Sequence, residues 1–219
     1  MPERTPEVID PFIAQLFAHQ HDSSHYESAL AQMKAADIPE INVSASEGMT
    51  LHVIARAVTA KRILEIGTLG GYSALWLASA LPPDGKLITL ELDPKHAGVA
   101  TRNLHNAGLS DRTEVRVGPA LESLAAMEKD GVAEFDITFI DANKDSYVDY
   151  LDYAIKFTRV GGIILSDNTL THNALDPTAD TGITRFNAKL AHTKGLISAI
   201  IPTLREGIDG LTISVVVHK

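Results

Sequence analysis

Phe135-Asp136-Ile137-Thr138-Phe139-Ile140-Asp141-Ala142-Asn143-Lys144, then a helical stretch over Tyr147–Phe157, then Gly162-Ile163-Ile164-Leu165-Ser166-Asp167-Asn168: this stretch decides the fold. Each short run rich in β-branched and aromatic residues ends in a polar cluster, the pattern of a strand arriving at a sheet edge. Strand, helix and strand in that order make one βαβ unit, so the two strands are expected parallel and close together. Their carboxyl ends then bring Asp141, Lys144, Asp167 and Asn168 to the edge where open α/β sheets bind ligands. Two carboxylates and an amide oxygen gathered there repel unless a hard cation lies between them. With a lysine beside them, the set points to metal-assisted group transfer.

The same rhythm extends toward the amino terminus. Ile63–Ile66, Lys86–Leu90 and Thr113–Val117 read as strands, and Ala74–Leu81, Pro94–Asn106 and Pro119–Met127 read as helices between them. This alternation predicts a doubly wound, Rossmann-like, mostly parallel sheet. Downstream, a helix over Thr184–Leu190 precedes strand-like runs at Leu196–Ile201 and Leu211–Val217. Their closeness in sequence suits an antiparallel pair at one edge, giving seven strands in all. Residues 1–60 are helical in pattern. Val8, Phe12, Leu16 and Phe17 share one spacing, Tyr26, Leu30 and Met33 another, and Pro39 ends the second run. Ser46 is expected to open a third helix carrying Met49, Val53, Ile54 and Val58. The expectation is one domain, with helices over 1–60 and a sheet over 61–219.

Composition bounds the function. At 219 residues, 45% hydrophobic and 21% charged, the chain suits one soluble domain with a sizeable core. A net charge of −9 argues against a broad phosphate-tracking surface. The absence of cysteine excludes disulfides, thiolate nucleophiles and zinc–thiolate sites. No run is long enough for a membrane span, and Met1–Pro6 lacks the build of a signal peptide, so a cytoplasmic setting is expected.

The loop after the first strand, Glu65-Ile66-Gly67-Thr68-Leu69-Gly70-Gly71-Tyr72-Ser73, holds glycines that let backbone pass close to a ligand. It matches neither the dinucleotide fingerprint nor a Walker loop. Glu91, ending the second strand, stands where a ribose is commonly held. A nucleoside-binding sheet follows from these residues.

Taken in series, Glu65–Ser73, Leu90-Glu91-Leu92-Asp93, Gly118-Pro119-Ala120, Asp141-Ala142-Asn143-Lys144 and Asp167-Asn168 resemble the cation-dependent O-methyltransferases, which include catechol and caffeoyl-CoA O-methyltransferases. The likeness runs from about Asn42 to Asn168, with a fainter echo at Asp209-Gly210-Leu211. The resemblance implies S-adenosylmethionine as cofactor, held by Val43, Glu65, Gly67, Thr68, Ser73, Glu91, Ala120 and Asp141. Glu65 is expected to face the ammonium, Ser73 the carboxylate, Glu91 the ribose through a lone pair on each oxygen, and Ala120 the adenine. It further implies Mg²⁺, or Mn²⁺ or Ca²⁺, on Asp141, Asp167 and Asn168, with Lys144 taking the acceptor's proton. Asn143 stands where animal catechol enzymes carry tryptophan, which moves the chain toward bacterial and plant types. The expected acceptor is a vicinal diphenol, and the expected state is a homodimer joined through the first helix. The rival readings are methylation of 5-hydroxyuridine in transfer RNA and a non-catalytic nucleoside-binding scaffold. His19, His21 and His25 read as surface positions, Trp76 as core, and Asp176 and Asp180 as solvated loop charges.

Overall fold

The computed structural model describes residues 5–176, 178–204 and 207–219. Three helices come first: α1 (Pro6–Leu16), α2 (Ser23–Ala35) and α3 (Ala45–Ala57). The alternating part follows as β1 (Arg62–Ile66), α4 (Tyr72–Ala80), β2 (Lys86–Glu91), α5 (Pro94–Asn106), β3 (Thr113–Val117), α6 (Ala120–Lys129), β4 (Phe135–Ile140), α7 (Tyr147–Phe157) and β5 (Thr158–Ser166). The chain continues through α8 (Gly182–His192), β6 (Leu196–Leu204) and β7 (Ile208–Val216). One seven-stranded sheet runs β3-β2-β1-β4-β5-β7-β6. Its first five strands are parallel, and β7 runs against both of its neighbours, β5 and β6. The Rossmann-like expectation and the antiparallel pair at one edge both hold, with the reversed strand second from that edge.

Helices cover both faces. Alternation along β1 sends Ile63 toward the layer that includes α2 to α5, while Leu64 and Ile66 face the layer of α6, α7 and α8. Glu65 falls on the Ile63 side. The regular part of β5 is where the sequence placed it, with Ile137 opposite Ile163. The strand also reaches back to Thr158, across a register shift between Phe135 and Ile137. That shift, with Gly161 at φ 76°, absorbs residues the sequence reading left outside the strand.

The third helix starts earlier than expected. Its cap is Ser44, not Ser46: the Ser44 hydroxyl accepts from Glu47 N at 3.2 Å, and the Glu47 carboxylate accepts from Ser44 N at 2.8 Å. This capping box is worth about 1 kcal/mol. Ser46 N instead donates to Asp10 at 2.9 Å, which ties α1 to the head of α3. Trp76 is core, as expected, stacked on Tyr26 at 3.8 Å between ring centroids. His21 corrects the surface expectation: it is half-buried, with its ring 5.0 Å from Trp76 and 5.1 Å from His52. Among the described residues no helix is long and apolar enough to cross a membrane.

Candidate active site

The carboxyl ends of β1, β2, β4 and β5 surround a cavity of about 730 Å³. Val43, Gly67, Thr68, Ser73, Glu91, Ala120, Asp141, Lys144 and Asn168 all line it, together with Asn143. Glu65 and Asp167, 0% and 1% exposed, are buried at their strand ends and not in its wall.

Gly67 is required by geometry as well as by permissiveness. It has φ 102°, and a β-carbon there would overlap the backbone carbonyl of Asp141. The first loop therefore lies directly on the strand end that supplies the aspartate. Glu91 binds the tips of β1 and β2 together. Its Oε2 accepts from Thr68 N at 3.2 Å and Leu69 N at 2.7 Å, and its Oε1 accepts from Asp93 N at 2.9 Å. The sequence reading left a lone pair on each oxygen. Here Oε2 is filled by two donors, so Oε1 is the oxygen with capacity for a ligand hydroxyl.

Ser73 spends its proton inward, donating to Glu65 Oε1 at 2.6 Å, while Thr89 Oγ1 donates to Oε2 at 2.6 Å. Burial outweighs these two bonds and pushes the Glu65 carboxyl up to about 8, with the charges of Asp141 and Glu91 adding to the rise. The expected ammonium partner thus sits one layer behind the cavity wall, and the expected carboxylate donor is already committed.

Across the cavity, Ile140 pairs with Ser166, so Asp141 and Asp167 follow on adjacent parallel strands. Lys144 Nζ donates to Asp141 Oδ1 at 2.9 Å and to the Tyr147 hydroxyl at 2.6 Å. That hydroxyl donates on to the Asp167 carbonyl at 3.0 Å, with the Ile140 carbonyl at 3.3 Å. Tyr147 thereby links the lysine to both strand ends. It is fully buried, and its hydroxyl is held well above its ordinary pKa by that burial and by the charges of Asp141 and Asp167. Sequence reasoning missed this residue; its signal was a tyrosine one turn past the lysine. The loop is backed by α8, whose Gly182 abuts the Lys144 carbonyl where any side chain would collide.

Asn168 sits at φ 56°, and its Nδ2 donates to Asp209 Oδ2 at 2.9 Å. Asp209 Oδ1 takes Leu170 N at 3.2 Å and Gly210 N at 2.7 Å. This bonding assigns the Asn168 amide and leaves its oxygen as the donor atom for a ligand. Among the described residues no group of three or more His, Cys, Asp or Glu forms a cation site. A cation would therefore rest on the Asp141 and Asp167 carboxylates, the Asn168 oxygen and water, a hard-donor set that fits Mg²⁺. Phe186 and Arg185 stand apart from the cavity: Phe186 packs on Tyr147 at 5.4 Å between centroids, and Arg185 pairs with Asp180.

The sequence and the fold both have close relatives. The chain is 37% identical over 217 residues to catechol O-methyltransferase of Niastella koreensis, covering 96% of this chain and 97% of that one. It is 39% identical to catechol O-methyltransferase of Mycobacterium tuberculosis, covering 96% of each. The crystal structure of the O-methyltransferase from Bacillus cereus in complex with SAH superposes with a TM-score of 0.91. The two are 36% identical over 95% of this chain and 96% of that one. The sequence model of the O-methyltransferase family matches residues 20–214, so the chain belongs to that family and is an enzyme of that class.

Proposed function

We propose that this O-methyltransferase carries the methyl group of S-adenosylmethionine to one hydroxyl of a vicinal diphenol, assisted by a divalent cation, Mg²⁺ foremost. The observation that carries the reading is the parallel pairing of β4 with β5, which brings the two strand ends together, with Asp141 and Asn168 in the wall of the glycine-loop cavity and Asp167 buried between them in the chain. The relatives named catechol O-methyltransferase and the SAH complex support it.

In this reading the methionine part of the cofactor lies along Gly67 and Thr68 beside Ser73. One ribose hydroxyl would donate to Glu91 Oε1 and the adenine would lie by Ala120, with Val43 in the wall of the same cavity. Asp141, Asp167 and Asn168 would hold the cation, which when bound would make a nearby hydroxyl more acidic. Lys144 would take the acceptor's proton at Nζ, and hydrogen bonds to Asp141 and Tyr147 hold that atom from two directions. The acceptor oxygen then displaces sulfur from the methyl carbon in line. Holding two reactants in such a geometry can supply up to ~7–11 kcal/mol of the barrier. We also infer a homodimer through α1, where Val8, Phe12, Leu16 and Phe17 are 44%, 62%, 52% and 38% exposed.

The test is turnover of catechol with and without chelator. Chelator abolishes methyl transfer and Mg²⁺ restores it, whereas Asp167→Ala stays inactive at any Mg²⁺ concentration. Turnover undiminished by chelator overturns the metal assignment.

A further inference from the structure

We propose that the acceptor enters along a second groove, and that this groove selects diphenols carrying an uncharged or cationic substituent over acceptors on a phosphorylated carrier. The inference rests on the function proposed above and names the substrate class of that same site. The groove, of about 1020 Å³, runs from the cavity outward between α1, α2 and the start of β7. It shares Ile41, Asn42 and Val43 with the cavity, so the two spaces adjoin. Its inner end is Asp209, the residue that holds the Asn168 amide.

Charge and apolar surface along this path decide what fits. Among the described residues, four carboxylates line it (Glu7, Asp10, Glu40 and Asp209) against one ammonium, Lys34, a formal balance of −3. Asp10 is engaged by the amides at the head of α3, and Lys34 lies 3.9 Å from Glu40, so among the described residues the groove offers a phosphate one ammonium that already has a carboxylate beside it. Aliphatic side chains complete the wall: Ile41 and Ile208 are 64% and 71% exposed. An apolar substituent on the diphenol ring gains by covering them. A carrier with several phosphate charges meets like charge along the same route. Across ~10 Å of screened water this repulsion amounts to roughly tenfold in kcat/KM at physiological salt, and more at low salt. Discrimination of this kind comes from repelling the wrong acceptor as much as from gripping the right one.

The experiment uses full-length enzyme, S-adenosylmethionine and Mg²⁺ with five acceptors: catechol, and 4-substituted catechols of one skeleton ending in an amine, a methyl ester, a free carboxylate or a coenzyme A thioester. The expected order of kcat/KM is amine and ester first, then carboxylate, then thioester, with about tenfold or more between ester and thioester. Raising the salt compresses that span. Glu7→Lys combined with Glu40→Lys, both exposed, narrows the ester–thioester gap. A thioester used as well as the ester at low salt overturns the inference, as does a gap that the double variant does not move. If catechol itself accepts no methyl group, the functional reading fails and the inference falls with it.

Discussion

Replacing Glu65 with glutamine tests the electrostatics of the cavity's back wall. The carboxyl is 0% exposed, and its pKa is pushed from 4.5 to about 8, chiefly by burial. In the unfolded chain it ionises near its ordinary value. Between those two pH values the native state holds a proton that the unfolded state has released. The associated stability is therefore complete below about pH 4.5 and disappears as pH climbs toward 8. One pKa unit is about 1.4 kcal/mol, so the full span sets a ceiling on the order of 5 kcal/mol; reorientation of Ser73 and Thr89 lowers it, and a loss of ~2 kcal/mol or more is expected. His21 and His52 act with the opposite sign. Burial holds both below their ordinary value, so their contribution grows as pH rises toward 6.5 and is complete above it. The measurement must therefore be a difference: urea unfolding of wild type and Glu65→Gln at intervals from pH 5 to 8.5. The variant, which mimics the protonated acid, should lie nearest wild type at pH 5 and exceed it increasingly, by ~2 kcal/mol or more at pH 8.5. Two parallel curves would show that the carboxyl ionises normally inside the fold, and the burial argument would be wrong.

Lys144→Ala should lower kcat far more than it weakens cofactor binding, read by steady-state kinetics beside calorimetric titration. Tyr147→Phe removes one hydrogen bond to a charged group, worth ~1.5–3 kcal/mol, so kcat should fall roughly 10- to 100-fold with little change in cofactor affinity. Combined with Lys144→Ala it should add almost nothing, and additive losses would separate the two residues. Gly182→Val drives a side chain into the Lys144 carbonyl; we expect a fall in both Tm and kcat, and unchanged kcat would detach α8 from the site. Phe12→Asp should convert the proposed dimer to particles of 23.6 kDa by light scattering, and wild type already at that mass would remove the interface.

The β4 and β5 runs were legible because a strand buried on both faces needs near-continuous apolar residues, and the polar clusters after them had to lie at the edge. The glycine loop was legible through Gly67, whose place on the Asp141 carbonyl no other residue can fill. Tyr147 was not, because Tyr147, Tyr150 and Tyr153 follow one another at equal spacing along α7. Only the tertiary fold decides which hydroxyl meets the lysine. Commitment of the Ser73 proton to Glu65 was hidden for the same reason: both sit in one short segment, and only pleat direction turns them together. Ser44 and Ser46 were equally good caps by composition, and Asp10, a whole helix away, took the amide of the second.

The position of β7 has a consequence for biogenesis. Residues 208–216 complete the hydrogen bonds of β5 and carry the aspartate that orients Asn168. As the ribosome releases the chain, β5 waits with bare peptide groups on one side through the whole of α8 and β6. An unpaired strand of this kind invites partners from other nascent chains. The Asn168–Asp209 bond and protection from aggregation therefore arrive in the same step, and, on the function proposed above, slowing translation just before that hairpin should cost yield and specific activity together.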